Sequence, residues 1–81
     1  MGVSDITFSA SARNVIRARV RAAILARISS SGAKDVMELL SVSSGAIRAW
    51  KARTSMPSFT LAQRAAPLLG LDPMTGEKVA T

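Results

Sequence analysis

The stretch from Ala33 to Arg53 constrains the fold of this chain most strongly. It predicts a two-turn helix over Ala33 to Leu40, a break at Ser41-Val42-Ser43, and a second helix capped by Ser43 and running to about Arg53. Two helices that cross steeply need apolar residues at the crossing, in the turn and along one stripe of the second helix. The chain supplies these at Val36, Met37, Leu40, Val42, Ile47 and Trp50. The pattern is typical of a helix-turn-helix.

The chain length and the choice of apolar residues indicate the fold class. The chain has 81 residues, which is room for one domain only. Hydrophobic residues make up 48% of it but aromatic residues only 4%, so the core is built from aliphatic side chains and alanine. This composition favours packed helices over sheets. We therefore predict an all-α fold, a compact four-helix helix-turn-helix DNA-binding domain.

Two further helices flank the central pair. Ser11 is a suitable N-cap for a first helix from Ala12 to Ile28, which has an apolar residue at every fourth position from Ile16. A fourth helix opens at Ser58, and Pro67 predicts that it is either kinked or divided into two short pieces. We place a loosely ordered arm at residues 1–10, the domain at 11–72, and a flexible tail at 73–81.

The first helix is apolar on more than one side. Val15 and Leu25 project away from the stripe that contains Ile16, and alanine covers much of the remaining surface. Both sides could pack inside the domain, or one could form a subunit interface. The sequence leaves these two alternatives open.

The charge balance favours a polyanionic partner. Eleven Lys and Arg stand against five Asp and Glu, a formal net charge of +6. Nucleic acid and an anionic membrane surface both fit, and we favour nucleic acid. No apolar run approaches the length of a membrane span, and Asp5 precedes the first arginine, unlike a signal peptide, so we expect a cytoplasmic protein with no membrane partner.

Enzymatic chemistry has little support in the sequence. The chain has no Cys and no His, which removes thiolate nucleophiles, imidazole bases and the ligands that zinc prefers. The acidic residues are Asp5, Asp35, Glu38, Asp72 and Glu77, and no nucleophile stands beside an evident base. We expect no catalytic site, no metal and no cofactor.

The outer side of the second helix of the pair is the candidate DNA-binding surface. Its predicted contact residues are Ser43, Ser44, Ala46, Arg48, Lys51 and Arg53. Arg48 is the best candidate for a base contact, because its forked donors match the two acceptors of guanine. Ser43 is explained by helix capping alone, and Lys51 and Arg53 fit a phosphate contact or a solvated surface equally well. We interpret Trp50 as a core residue rather than a stacking platform, because it is in register with Ile47.

The first helix carries many arginines, for which three roles are open. They could contact the DNA backbone, bind a membrane, or only solubilise an apolar helix, and we favour the last for most of them. The residues are Arg13, Arg17, Arg19, Arg21 and Arg27.

From about Arg13 to Leu71, the chain resembles the phage lambda CII-type transcriptional activators. The similarity lies in Ala23-Ile24-Leu25, Ile28, Gly32, Val42, the block Ile47-Arg48-Ala49-Trp50-Lys51, Pro57-Ser58-Phe59 and Leu61. Three positions depart from the family pattern. Met37 and Ser41 stand where Ala and Gly are common, and Gly45 lies inside the second helix of the pair.

The resemblance implies a cytoplasmic homo-oligomer, in a host bacterial cell, that binds double-stranded DNA and contacts RNA polymerase at a promoter. The best-known member of the family is a tetramer and continues into a further helix beyond the position of Pro73, so a tetramer, a dimer through the first helix and a monomer that binds DNA weakly all stay open. A repressor of the Cro type would use the same chemistry. A different class of function, a helical module that binds a host protein through apolar surfaces, is the main alternative.

Overall fold

The computed structural model describes residues 9–79, and within this range the chain folds into four helices. These are α1 (Ala10–Ser31), α2 (Ala33–Leu40), α3 (Ser44–Lys51) and α4 (Phe59–Leu68). The only pairing of extended segments in this range is a single antiparallel bridge between Leu71 and Lys78. The all-α, four-helix prediction is confirmed. Residues 1–8 of the predicted arm and 80–81 of the predicted tail lie outside the described residues.

The helix α1 begins earlier than the sequence predicted. Ser9, not Ser11, is its N-cap, and the Ser9 Oγ accepts a hydrogen bond of 3.1 Å from the Ala12 amide. The assignment of Ser11 as the cap is therefore wrong, because Ser9 already satisfies the free amide at this end of the helix. At the other end, the Gly32 amide donates 2.8 Å to the Ile28 carbonyl, and the helix runs to Ser31. Over residues 9–79, no helix is long and apolar enough to cross a membrane.

One hydrophobic core joins all four helices. The predicted stripe of α1 is buried at Ile16, Val20 and Ile24, although Ile28 is only partly buried. The other buried core residues are Val36 and Leu40 of α2, Ile47 and Trp50 of α3, Ala62, Ala65 and Ala66 of α4, and Leu71. On the outer side of α1, Leu25 is half-buried against this core, whereas Val15 is 45% exposed.

The contribution of α4 to the core is made by alanines. Ala62, Ala65 and Ala66 are fully buried, while the larger Leu68 is 44% exposed. Small side chains allow two helix backbones to approach closely, and α4 packs most extensively against α1. The close contact between the first and last helices depends on these methyl groups.

Pro67 lies in the final turn of α4, which is a single helix from Phe59 to Leu68. The alternative of two short pieces is wrong, because a proline so near the end disturbs only the last turn. Gly70 then adopts a left-handed conformation with φ +76°, and the Leu71 amide donates 2.8 Å to the Ala66 carbonyl. Leu71 is buried beside this cap, which is where a hydrophobic residue commonly follows a left-handed glycine.

Residues 72–79 turn back across α1. The Arg19 guanidinium donates 2.8 Å to the Thr75 carbonyl and lies 3.6 Å from the Glu77 carboxylate. Gly76 is buried with φ +75°, and a Cβ built there would lie 3.0 Å from the Arg19 Cβ and 3.3 Å from the Ile16 Cα. This segment therefore contacts the helix closely. The flexibility expected for residues 73–81 stays a prediction.

Candidate nucleic-acid interface

The turn between α2 and α3 is set by backbone geometry at Ser41. Ser41 is left-handed, with φ 56° and ψ 48°, and the Val42 amide donates 3.1 Å to the Met37 carbonyl. A glycine reaches this conformation without steric cost, whereas a serine does not. The half-buried Val42 follows and packs against the core. The three-residue break predicted at Ser41-Val42-Ser43 is confirmed.

A side chain from α4 binds the end of α2. The Arg64 Nη2 donates 3.0 Å to the carbonyl oxygen of Leu40, the last residue of α2. Carbonyls at a helix C-terminus lack partners within the helix and carry partial negative charge, so a guanidinium suits this position. Arg64 therefore fixes the turn to the body of the domain. Sequence reasoning missed this contact, because nothing local to Leu40 indicates a partner 24 residues later.

The N-terminus of α3 is capped by Ser43. Ser43 is extended, with φ −84° and ψ 162°, and its Oγ accepts 3.2 Å from the Ala46 amide. The capping interpretation is confirmed. Ser43 and Ser44 are both exposed at this end of the helix.

One side of α3 is held in the core and another is open. Ile47 is 3% and Trp50 is 4% exposed, so the interpretation of Trp50 as a core residue is confirmed. Arg48 and Lys51 are exposed. The two buried anchors fix the rotation of the helix, and this rotation presents both cations to solvent.

The remaining predicted contact residues do not share this surface equally. Ala46 is half-buried and packs against the core, about 160° around the helix from Arg48. Arg53 lies beyond the end of α3, which is at Lys51 and not at Arg53 as predicted. It is left-handed, with φ 62°, and the next amide, of Thr54, donates 3.0 Å to the Ala49 carbonyl. The structure therefore brings together Ser44, Arg48 and Lys51, with Arg53 exposed at one end.

A shallow groove of about 470 Å³ lies between α2 and α3. Its lining residues are Ala33 and Met37 of α2 with Ser44, Ile47, Arg48, Lys51 and Ala52. Apolar groups therefore stand beside two cations and a hydroxyl. Such a surface can donate hydrogen bonds to acceptors and contact methyl groups.

The cations of α3 and of the residues just after it have no acidic partner in the described part of the chain. Among residues 9–79 the ion pairs are Arg19–Glu77 and Arg27–Asp35, and neither involves α3. Arg48, Lys51 and Arg53 therefore have no carboxylate within 4.0 Å in the described part of the chain. Uncompensated cations on one exposed surface attract anions.

Comparison of the chain with known protein families, with characterised proteins and with solved structures gives no match.

Proposed function

We propose that this protein is a sequence-specific double-stranded DNA-binding transcriptional regulator, acting as a homo-oligomer. The observation that carries the proposal is the arrangement of α3, where Ile47 and Trp50 are buried in the core while Arg48 and Lys51 face solvent without an acidic partner among residues 9–79. A helix that is held rigidly and exposes donors fits the major groove of DNA. The resemblance to CII-type activators favours activation of a promoter, with RNA polymerase as a second partner.

Within this proposal each residue has a distinct role. Arg48 donates two hydrogen bonds to O6 and N7 of a guanine, and Ser44 contacts a base or a phosphate near the start of α3. Lys51 and Arg53 neutralise phosphates at the other end of the helix. The half-buried Ala46 is the weakest member of the predicted set, because its methyl group packs against the core.

A protein-binding module is the second candidate, and one observation favours it. Val15 is 45% and Met74 is 54% exposed, and both line a shallow groove at the N-terminal half of α1. A contiguous apolar patch on a protein surface is typical of a contact site for another protein. A protein partner at this groove would depend on these two side chains and not on Arg48.

Selection of binding sites from a random duplex pool tests the proposal. Wild type, an Arg48→Ala, Lys51→Ala double variant and a Lys78→Ala control would be compared at near-physiological salt. We expect wild type and the control to select the same motif, repeated at a spacing of about 10 base pairs if two subunits bind, and the double variant to lose it. Absence of any motif, with equal salt-sensitive binding by all three proteins, would reject a sequence-specific reader.

A further inference from the structure

Three of the five arginines of α1 have a carboxylate or an aromatic ring as partner among residues 9–79, and two do not. Arg19 is paired with Glu77, and Arg27 donates 2.9 Å to the Asp35 carboxylate. The guanidinium carbon of Arg13 lies 5.9 Å from the centroid of the Phe59 ring. These three contacts join α1 to the C-terminal segment, to α2 and to α4. They account for three of the five positive charges that the sequence places on this helix.

Arg17 and Arg21 are different. The Arg17 Nε donates 2.8 Å to the Pro57 carbonyl, which places its side chain beside the loop between α3 and α4. Its Nη1 lies 3.3 Å from the Asn14 Oδ1, and its Nη2 makes no hydrogen bond to the described residues. Arg21 is half-buried, and its side chain makes no hydrogen bond or ion pair with any residue in the range 9–79.

These two arginines lie on the side of α1 that adjoins the end of α3. Arg17, Arg21 and Leu25 follow one another at intervals of four residues, so they lie along one side of α1 about 6 Å apart. Leu25 lines a surface groove together with Ile28, Ser29 and Lys51. Arg17, Arg21 and Leu25 therefore form a row along α1. It begins beside Pro57, in the loop between α3 and α4, and ends beside Lys51, the last residue of α3.

We propose that Arg17 and Arg21 form, with Lys51, a ridge that binds the phosphates of the DNA strand flanking the groove read by α3. This inference rests on the proposed function and extends its interface to α1. A guanidinium that is oriented by bonds to the protein retains a terminal nitrogen for a phosphate oxygen, as the Arg17 Nη2 does. No described carboxylate pairs with Arg17 or Arg21, so both cations are available to the phosphates of the DNA strand beside the groove.

The chemistry of phosphate binding gives the ridge a measurable signature. Each phosphate contact releases counterions, so removing one lowers the slope of log affinity against log salt by about 0.9. Phosphates carry no sequence information, and the loss is therefore the same on a selected duplex and on a scrambled one. A base contact such as that assigned to Arg48 would instead change the selected motif.

The test is a salt titration of DNA binding by wild type, Arg21→Gln and the matched control Lys78→Gln. Each variant removes one charge, but Lys78 lies in the C-terminal segment paired with Leu71. For each subunit bound, we expect Arg21→Gln to reduce the ratio of Kd at 200 mM salt to Kd at 50 mM salt by about 3.5-fold on both duplexes. Lys78→Gln keeps the wild-type slope, and thermal unfolding of both variants matches wild type.

An Arg21→Gln slope equal to that of wild type would overturn the ridge, even where a motif is still selected. A second outcome separates the two proposals. If Arg21→Gln has a reduced salt slope on a scrambled duplex while the selection yields no motif, the ridge is supported and the sequence-specific reader is rejected. Binding of wild type to vesicles of anionic lipid through Arg21, without binding to duplex DNA, overturns both.

Discussion

The guanidinium of Arg64 in α4 donates a 3.0 Å hydrogen bond to the carbonyl oxygen of Leu40 at the end of α2. This bond joins the α2–α3 pair to the helix that packs against α1. Replacing Arg64 with Met keeps most of the apolar stem and removes the donor. We expect the free energy of unfolding to fall by about 1 kcal/mol, since the bond is only partly buried.

Urea denaturation followed by the fluorescence of Trp50 measures this change, with Arg21→Met as a control that removes an arginine without a partner in the described residues. Equal stability of Arg64→Met and wild type would mean that the bond to Leu40 contributes nothing net.

The left-handed Ser41 predicts a stabilising substitution. Ser41→Gly relieves about 1–2 kcal/mol of backbone strain and costs about 0.5–1 kcal/mol through the greater freedom of glycine in the unfolded chain. The net gain is about 0.5–1 kcal/mol, and we expect the Tm to rise by about 4 °C. Differential scanning calorimetry measures it. Ser41→Ala keeps a Cβ and so should show no gain, and a gain in that control would assign the effect to the hydroxyl instead.

Two glycines with the same backbone conformation allow the cost of a left-handed backbone to be separated from the cost of a steric clash. Gly70 and Gly76 have φ +76° and +75°, but a Cβ at Gly70 meets nothing within 4 Å, whereas one at Gly76 meets Arg19 and Ile16. We expect Gly70→Ala to cost about 1 kcal/mol and Gly76→Ala about 2–4 kcal/mol, because the latter also pushes the C-terminal segment away from α1. Thermal denaturation of the two variants side by side gives the comparison. Equal losses would show that residues 72–79 do not contact α1 in solution.

The alanine surface of α4 predicts strong sensitivity to added volume. Ala65 is 0% exposed, so Ala65→Leu inserts a side chain where the helices leave no space, and we expect a loss of about 1–3 kcal/mol or more. Ala22 of α1 is exposed, and Ala22→Leu should change stability by less than about 0.5 kcal/mol. Chemical denaturation measures both. Similar losses in the two variants would contradict the close approach of α4.

The sequence predicted the parts of the fold that depend on local signals. The bounds of α2 and the start of α3 follow from Gly32, Ser41 and the Ser43 cap, and all agree with the structure. At the start of α1 the predicted cap was Ser11, whereas the cap is Ser9, because the Ser9 oxygen is the one that meets a free amide. Sequence periodicity alone does not decide this.

For the candidate site, the sequence predicted which side of α3 is exposed but not the contacts between distant residues. The register of Ile47 and Trp50 fixed which side of α3 is buried, and so exposed Arg48. The contacts of Arg64 with Leu40 and of Arg19 with Thr75 join residues 24 and 56 positions apart. Pairings at such distances depend on how the helices pack, and a single sequence carries no local trace of them.

The two-turn length of α3 has a consequence for any ligand that it binds. Eight residues are too few to remain helical alone in water, so the helix exists only while Ile47 and Trp50 stay anchored. A synthetic peptide of residues 43–53 would be an unstructured chain. Binding of a ligand by α3 is thus coupled to folding of the whole domain. A ligand present in excess therefore raises the melting temperature of the domain in proportion to the logarithm of the ligand concentration.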